Sequence, residues 1–120
     1  MNKPIDVLHQ FEVIEGYWEP KIIGELNGQH IKIAKFKGEF AWHKHENEDE
    51  FFYVIDGCFE MQLKDQNHKV KKGEFIIVPK GTEHRPVAYE EAKVMMFEPA
   101  GTLNTGNLIN EFTITNPEKL

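Results

Sequence analysis

The stretch "GEFAWHKHENEDEFFYVIDG", residues 38–57, decides the fold. Within it His43 and His45 stand one residue apart, and an acidic run closes on Glu50. Side chains of an extended backbone alternate between two faces, so both imidazoles share one face while Trp42 and Lys44 take the other. The same parity groups Glu50 with Phe52 and Val54. A carboxylate on an apolar face is costly to desolvate unless a cation meets it. Neutral imidazole is the commonest protein ligand for divalent transition metals, and two from one segment make a rigid half of a site. Taken alone, each part also has a plain interpretation, the His pair as surface and "ENEDE" as a solvated turn.

Outward from this stretch, helix-period patterns are scarce. Short runs rich in Val, Ile, Phe and Tyr recur between Gly, Pro, Asn and Asp signals, which predicts an all-β domain. The expected strands are 31–36, 40–45, 51–55, 59–63, 75–78 and 94–97, with weaker ones near Ile22 and Val87. In "CFEMQLKDQNHKVKKGEF" Phe59, Met61 and Leu63 alternate with Glu60, Gln62 and Lys64, a strand with one wet face, and Asp65 to His68 turn the chain back. "FFYVI", residues 51–55, is apolar on both faces and needs cover on both, from a facing sheet, a flanking segment or a second subunit. A homodimer is therefore expected. The first twenty residues, with Phe11, Tyr17 and Trp18, are expected to pack across the outside, and only "LINEFTI" of the tail from Thr102 to be held down.

A third histidine arrives in "KKGEFIIVPKGTEHRPV", residues 71–87. Gly73 precedes a short strand, Pro79 ends it for want of an N–H, Gly81 permits a tight turn, and His84 opens the next strand. The spacing Gly38-x4-His43-x-His45-x4-Glu50-x6-Gly57 resembles the first motif of the cupin family, and Gly73-x5-Pro79-x-Gly81-x2-His84 resembles the second. The resemblance implies a double-stranded β-helix, a jelly-roll barrel of two Greek keys. One cupin domain over 1–120 is expected, with the barrel at about 22–100 between an N-terminal segment and a C-terminal tail. It further implies that His43, His45, Glu50 and His84 hold one divalent transition metal (Zn, Mn, Fe or Ni) inside the barrel. Gly38 stands one residue closer to the first histidine than in the commonest form, and Ala88 stands where an Asn often ends the second motif.

The net charge of −6 and a pI near 5.5 oppose the electrostatics of nucleic-acid binding. The start "MNKPIDVLHQF" lacks the apolar core of a leader, and no stretch is long enough to span a membrane, so a cytoplasmic protein without membrane or nucleic-acid partners is expected. Cys58 is the only cysteine, which suits a reducing compartment, and it is expected to be a spectator. His9, His30 and His68 read as surface residues. Arg85 is expected to contact a carboxylate from outside the pocket or be solvated, and Phe40, Phe52 and Met61 to belong to the general core.

Three nitrogens and one carboxylate leave an octahedral metal with open positions. The expectation is thus a metalloenzyme acting on a small molecule, isomerase- or lyase-like by Lewis-acid polarisation or dioxygenase-like at Fe or Mn. The alternative is a metal-dependent module that binds or senses a small ligand. No catalytic acid or base is named, and Lys80 and Arg85 are the basic candidates for a phosphosugar.

Overall fold

A computed structural model describes residues 3–120; Met1 and Asn2, the start of the expected domain and of the stretch read for a leader, lie outside the described residues. Seven antiparallel strands follow a short helix α1 (Val7–Gln10) and a 3-10 turn (Phe11–Val13). They are β1 (Lys21–Leu26), β2 (Gln29–Glu39), β3 (Glu50–Asp56), β4 (Cys58–Leu63), β5 (Asn67–Lys71), β6 (Phe75–Val78) and β7 (His84–Pro99). The strand order is β1-β2-β7-β3-β6, while β4 pairs with β5 and β7. The fold is the jelly roll expected.

β7 organises this topology. Its first residues, His84 to Val87, pair with β4, and its second half lies between β2 and β3. A register shift opposite Lys37, with the extra residues Tyr89 to Glu91 on β7, accommodates the change, and Gly38, at φ 83°, supplies a left-handed backbone that most residues avoid. Inside lie Ala34, Phe36, Phe52, Val54, Phe59, Met61, Val94 and Met96, alternating with outward residues as the strand period requires. Burying Phe, Val or Met side chains contributes roughly 1.5–3 kcal/mol each, and this cluster is the main source of stability.

Four expectations are corrected. Residues 40–45 are not a strand: β2 ends at Glu39, and the ladder is reduced here to an isolated bridge between His43 and His84, because the polar residues 46–49 offer no apolar alternation to continue it. His68 lies in β5, opposite Met61, since the turn is tighter than Asp65 to His68. The N-terminal segment divides. Phe11 and Ile14 pack on Ile33 outside the sheet as expected, but Trp18 turns inward and stacks on Phe36 with ring centroids 4.5 Å apart. The separate expectations near Val87 and over 94–97 merge into the one long β7.

Candidate metal centre

The two motifs are tied together by main-chain bonds. The His43 N–H donates to the His84 carbonyl at 3.0 Å, and the His84 N–H returns a bond to His43 at 2.8 Å. The turn after Pro79 adds Gly81 N–H to the His45 carbonyl at 2.7 Å, and Lys80 N–H donates to Asp49 Oδ1 at 2.8 Å. Glu50 opens β3 opposite Val78, and its parity with Phe52 and Val54 turns it inward. The loop between β2 and β3 is thus clamped to the loop between β6 and β7.

The structure brings together all four residues singled out by the sequence. His43, His45, Glu50 and His84 are buried, and one ligand-type atom from each lies within 4.8 Å of the others. The Nδ1 atoms of His43 and His84 each meet a backbone carbonyl, of Ala41 and Thr82, at 2.8 Å. Donation from those Nδ1–H groups leaves each Nε2 with a lone pair, the tautomer a metal requires. Glu50 Oε1 lies 2.8 Å from His45 Nε2 and 3.2 Å from His84 Nε2. His45 Nε2 nevertheless makes no hydrogen bond of good geometry, and His45 Nδ1, with Glu48 Oε1 at 3.8 Å, makes none among the described residues. A buried imidazole with both nitrogens orphaned, beside two others and a carboxylate, is the chemistry of a site that could hold a cation.

Electrostatics agree with this geometry. Burial, then the adjacent His84, lowers His43 from 6.5 to about 4, against the opposing pull of the Ala41 carbonyl and Glu50. Burial alone would raise Glu50, but the close imidazoles of His45 and His84, and a contact from Glu98, hold its carboxyl well below the usual range. Unfolded chain therefore takes up a proton at His43 near pH 6.5 that the fold refuses until about pH 4. Stability from His43 is present above 6.5 and lost as pH falls to about 4. For metal-free protein, urea unfolding should show wild type losing about 3 kcal/mol more than His43→Gln between pH 7 and pH 4. Equal losses would remove this assignment.

A family model for the cupin domain matches residues 30–98, more than half of the chain. The chain belongs to the cupin family. Among solved structures this cupin is similar to a cupin-2 domain protein from Shewanella frigidimarina, at 40% identity and a TM-score of 0.78, covering 79% of this chain and 93% of that one. It is 38% identical to an uncharacterized protein YdbB of Bacillus subtilis over 56% of this chain and 60% of that protein. It is 32% identical to acireductone dioxygenase of Dictyostelium discoideum over 70% of this chain and 58% of that enzyme. The match thus spans less than two thirds of either curated relative.

Beside the cluster, this cupin has a cavity of about 30 Å³, bounded by Trp18, Phe36, Phe40, Phe52 and Met96 as well as His43 and Glu50. Phe40 and Phe52, expected as general core, do face it; Met61 is wholly buried elsewhere in the core. Glu98 and Asn104 supply further polar edges. Neither was singled out from the sequence, although Val94, Met96 and Glu98 share one parity, the signal that singled out Glu50. Burial, then the charge of Glu50, pushes Glu98 well above the usual carboxylate range, against the opposing pull of Lys32.

Over this cavity lies the C-terminal tail, and more of it is held down than "LINEFTI" alone. Thr102 and Thr105 are buried, Asn104 bonds the Phe112 carbonyl and the Ile114 N–H, and Phe112 packs on Phe40 at 5.0 Å. Asn107 pairs with Lys44 through both main-chain and side-chain bonds. Lys80 is exposed, and Arg85 bonds Gln62 while approaching Glu39 at 3.7 Å, so neither lines the cavity. His9, His30 and His68 stand apart from the cluster.

Proposed function

We propose that this cupin is a metalloenzyme acting on a small molecule, with His43, His45, Glu50 and His84 holding one divalent transition metal (Zn, Mn, Fe or Ni). The observation that carries this is the pair of orphaned nitrogens on His45, buried against Glu50 and two imidazoles whose Nδ1 atoms are already engaged. Bound there, a divalent metal supplies Lewis acidity and, for Fe or Mn, redox chemistry with dioxygen. The chain's own residues do the rest. The carbonyls of Ala41 and Thr82 orient two rings, Phe40, Phe52 and Met96 wall the site off from water, and Glu98 and Asn104 are the polar edges of a cavity that has room for about one water-sized group.

Of the reactions open to such a site, a dioxygenase-like one is best supported, by the apolar cavity and by the likeness to an acireductone dioxygenase. A phosphosugar isomerase is less well supported, because no free cation lines the cavity among the described residues: Lys32, the nearby ammonium, is paired with Glu98 at 2.9 Å. The test is dioxygen uptake by anaerobically prepared Fe(II) protein on addition of thiol, diketone and flavonoid substrates. Consumption with one of them is expected. Metal-loaded protein with no uptake from any would move the reading to Lewis-acid isomerase or lyase chemistry, or to ligand binding without catalysis.

A second copy of this chain is the partner proposed for the outer face. Phe75 and Ile77 of edge strand β6 are 58% and 53% exposed, and Phe51 stacks beside Phe75 at 5.0 Å, extending the apolar surface across β3. A contiguous apolar patch of this kind marks an interface. Sedimentation should find a dimer that Ile77→Glu converts to monomer; a wild-type monomer at high concentration would reject the pairing. Among the described residues no helix is long and apolar enough to cross a membrane. The cytoplasm is the proposed compartment, consistent with the single free thiol of Cys58.

A further inference from the structure

The cavity of about 30 Å³ beside the cluster has room for roughly one water molecule. Clefts that take small molecules typically measure about 300–1,000 Å³, so no substrate body fits there in this conformation. The tail closes the cavity on one side. Asn104 lines it, and Phe112 packs on Phe40, whose ring meets His43 edge-on at 5.3 Å between centroids.

The covering segment, residues 103–117, holds together internally and sits lightly on the barrel. Its ends are fastened, through the Thr102 carbonyl to Lys32 and through the Glu118 carbonyl to the Ile22 N–H. Leu103 and Pro117 line one shared hollow, so the two ends lie close together in the manner of an Ω-loop. Inside it, Asn104 bonds the Phe112 carbonyl and the Ile114 N–H at 2.8 Å each, and the Thr105 and Thr113 hydroxyls bond each other at 2.7 Å. Among the described residues none of the segment's apolar side chains is buried, and Ile109 is 75% exposed. Its latch is Asn107. The Asn107 Oδ1 accepts from the Lys44 N–H at 3.1 Å, and the Asn107 N–H donates to the Lys44 carbonyl at 3.0 Å, on the residue between His43 and His45. Beside it Gly106 holds φ at 59°, and a Cβ there would collide with the same carbonyl. A segment with so few buried apolar contacts opens at a lower free energy than the strands beneath it. We propose that residues 103–117 form a lid over the metal centre, latched by Asn107 on Lys44, which lifts to admit a small molecule and recloses over it. This rests on the metal reading above, and it adds the route by which a substrate arrives.

The test compares wild type, Asn107→Ala and Gly106→Ala, metal-free for hydrogen exchange and Co²⁺-loaded for ligand entry. Asn107 is exposed, so its truncation leaves the core intact. In metal-free wild type the amides of Lys44 and Asn107 should exchange together and well before those of His43 and His84, whose mutual bridge belongs to the barrel. Loss of one hydrogen bond in Asn107→Ala should speed that exchange about 3–10-fold. Entry is read with benzohydroxamate, too large for the closed cavity, by the change it makes in the visible Co²⁺ spectrum. Its binding should quicken by the same factor in Asn107→Ala, and by at least as much in Gly106→Ala, where the latch cannot close. Latch amides that exchange only with those of His43 and His84 would overturn the lid. So would entry rates unchanged in both variants while latch exchange quickens, because the ligand would then arrive by another route; either result leaves the metal reading standing. Wild type that binds no Co²⁺ would overturn the metal reading, and the lid's role with it.

Discussion

Protein carrying His84→Ala, purified without chelator, is expected to contain almost no transition metal, where wild type carries about one per chain. His84 supplies one of three nitrogens, and its Nε2 lies 3.2 Å from Glu50 Oε1. Loss of an inner ligand should exceed the 10–100-fold typical of an outer partner. The fold should survive, because the bridge to His43 is made by main-chain atoms at 3.0 and 2.8 Å and is unaffected by truncation of the side chain. What the variant does lose locally is the ring packed 6.4 Å from Phe52 and the donor to the Thr82 carbonyl. Elemental analysis beside a circular dichroism spectrum settles the matter. A folded variant with wild-type metal content would end the assignment of His84, and with it the proposed function.

Trp18→Ala is expected to destabilise the metal-free protein by about 3–5 kcal/mol in urea. Its ring stacks on Phe36 at 4.5 Å and on Phe40 at 5.0 Å, and its Nε1–H donates to the Lys37 carbonyl at 2.9 Å. Truncation leaves a void beside the cavity and an unpaired carbonyl. Yet Trp18 also holds φ at 61°, a left-handed backbone that disfavours any side chain by roughly 1–2 kcal/mol. Trp18→Gly should therefore be about 1 kcal/mol more stable than Trp18→Ala, reversing the order in which these residues usually rank. Gly less stable than Ala at this position would show that the backbone there relaxes once the ring is gone.

Much of the site was legible because its signals are local. His43 and His45 share parity within one extended segment, Glu50 breaks an apolar face, and Pro79 and Gly81 mark the turn that delivers His84. The β-type runs between turn residues pointed to an all-β domain, and the resemblance of the two motifs to the cupin family implied the jelly roll. Illegible were features that depend on where the chain goes next. Trp18 sits in a stretch without periodicity, and only the crossing of β2, where its N–H bonds the Lys35 carbonyl at 2.9 Å, turns it inward. The tail reads as polar, yet the side chains of Asn104 and Asn110 bond its own backbone. Lys32 escaped notice because a single cation in a strand ordinarily faces solvent.

The long strand β7 begins at His84 and reaches Glu98 near its far end, pairing on the way with β4, β2 and β3. Gln29 meets Pro99 across it, so its partners are mostly remote along the polypeptide. Closing such loops precedes any reward from contact, which places this chain with the slow folders of milliseconds to seconds. During synthesis the imidazoles at 43 and 45 emerge well before residue 84, and until β7 is complete they belong to an open meander.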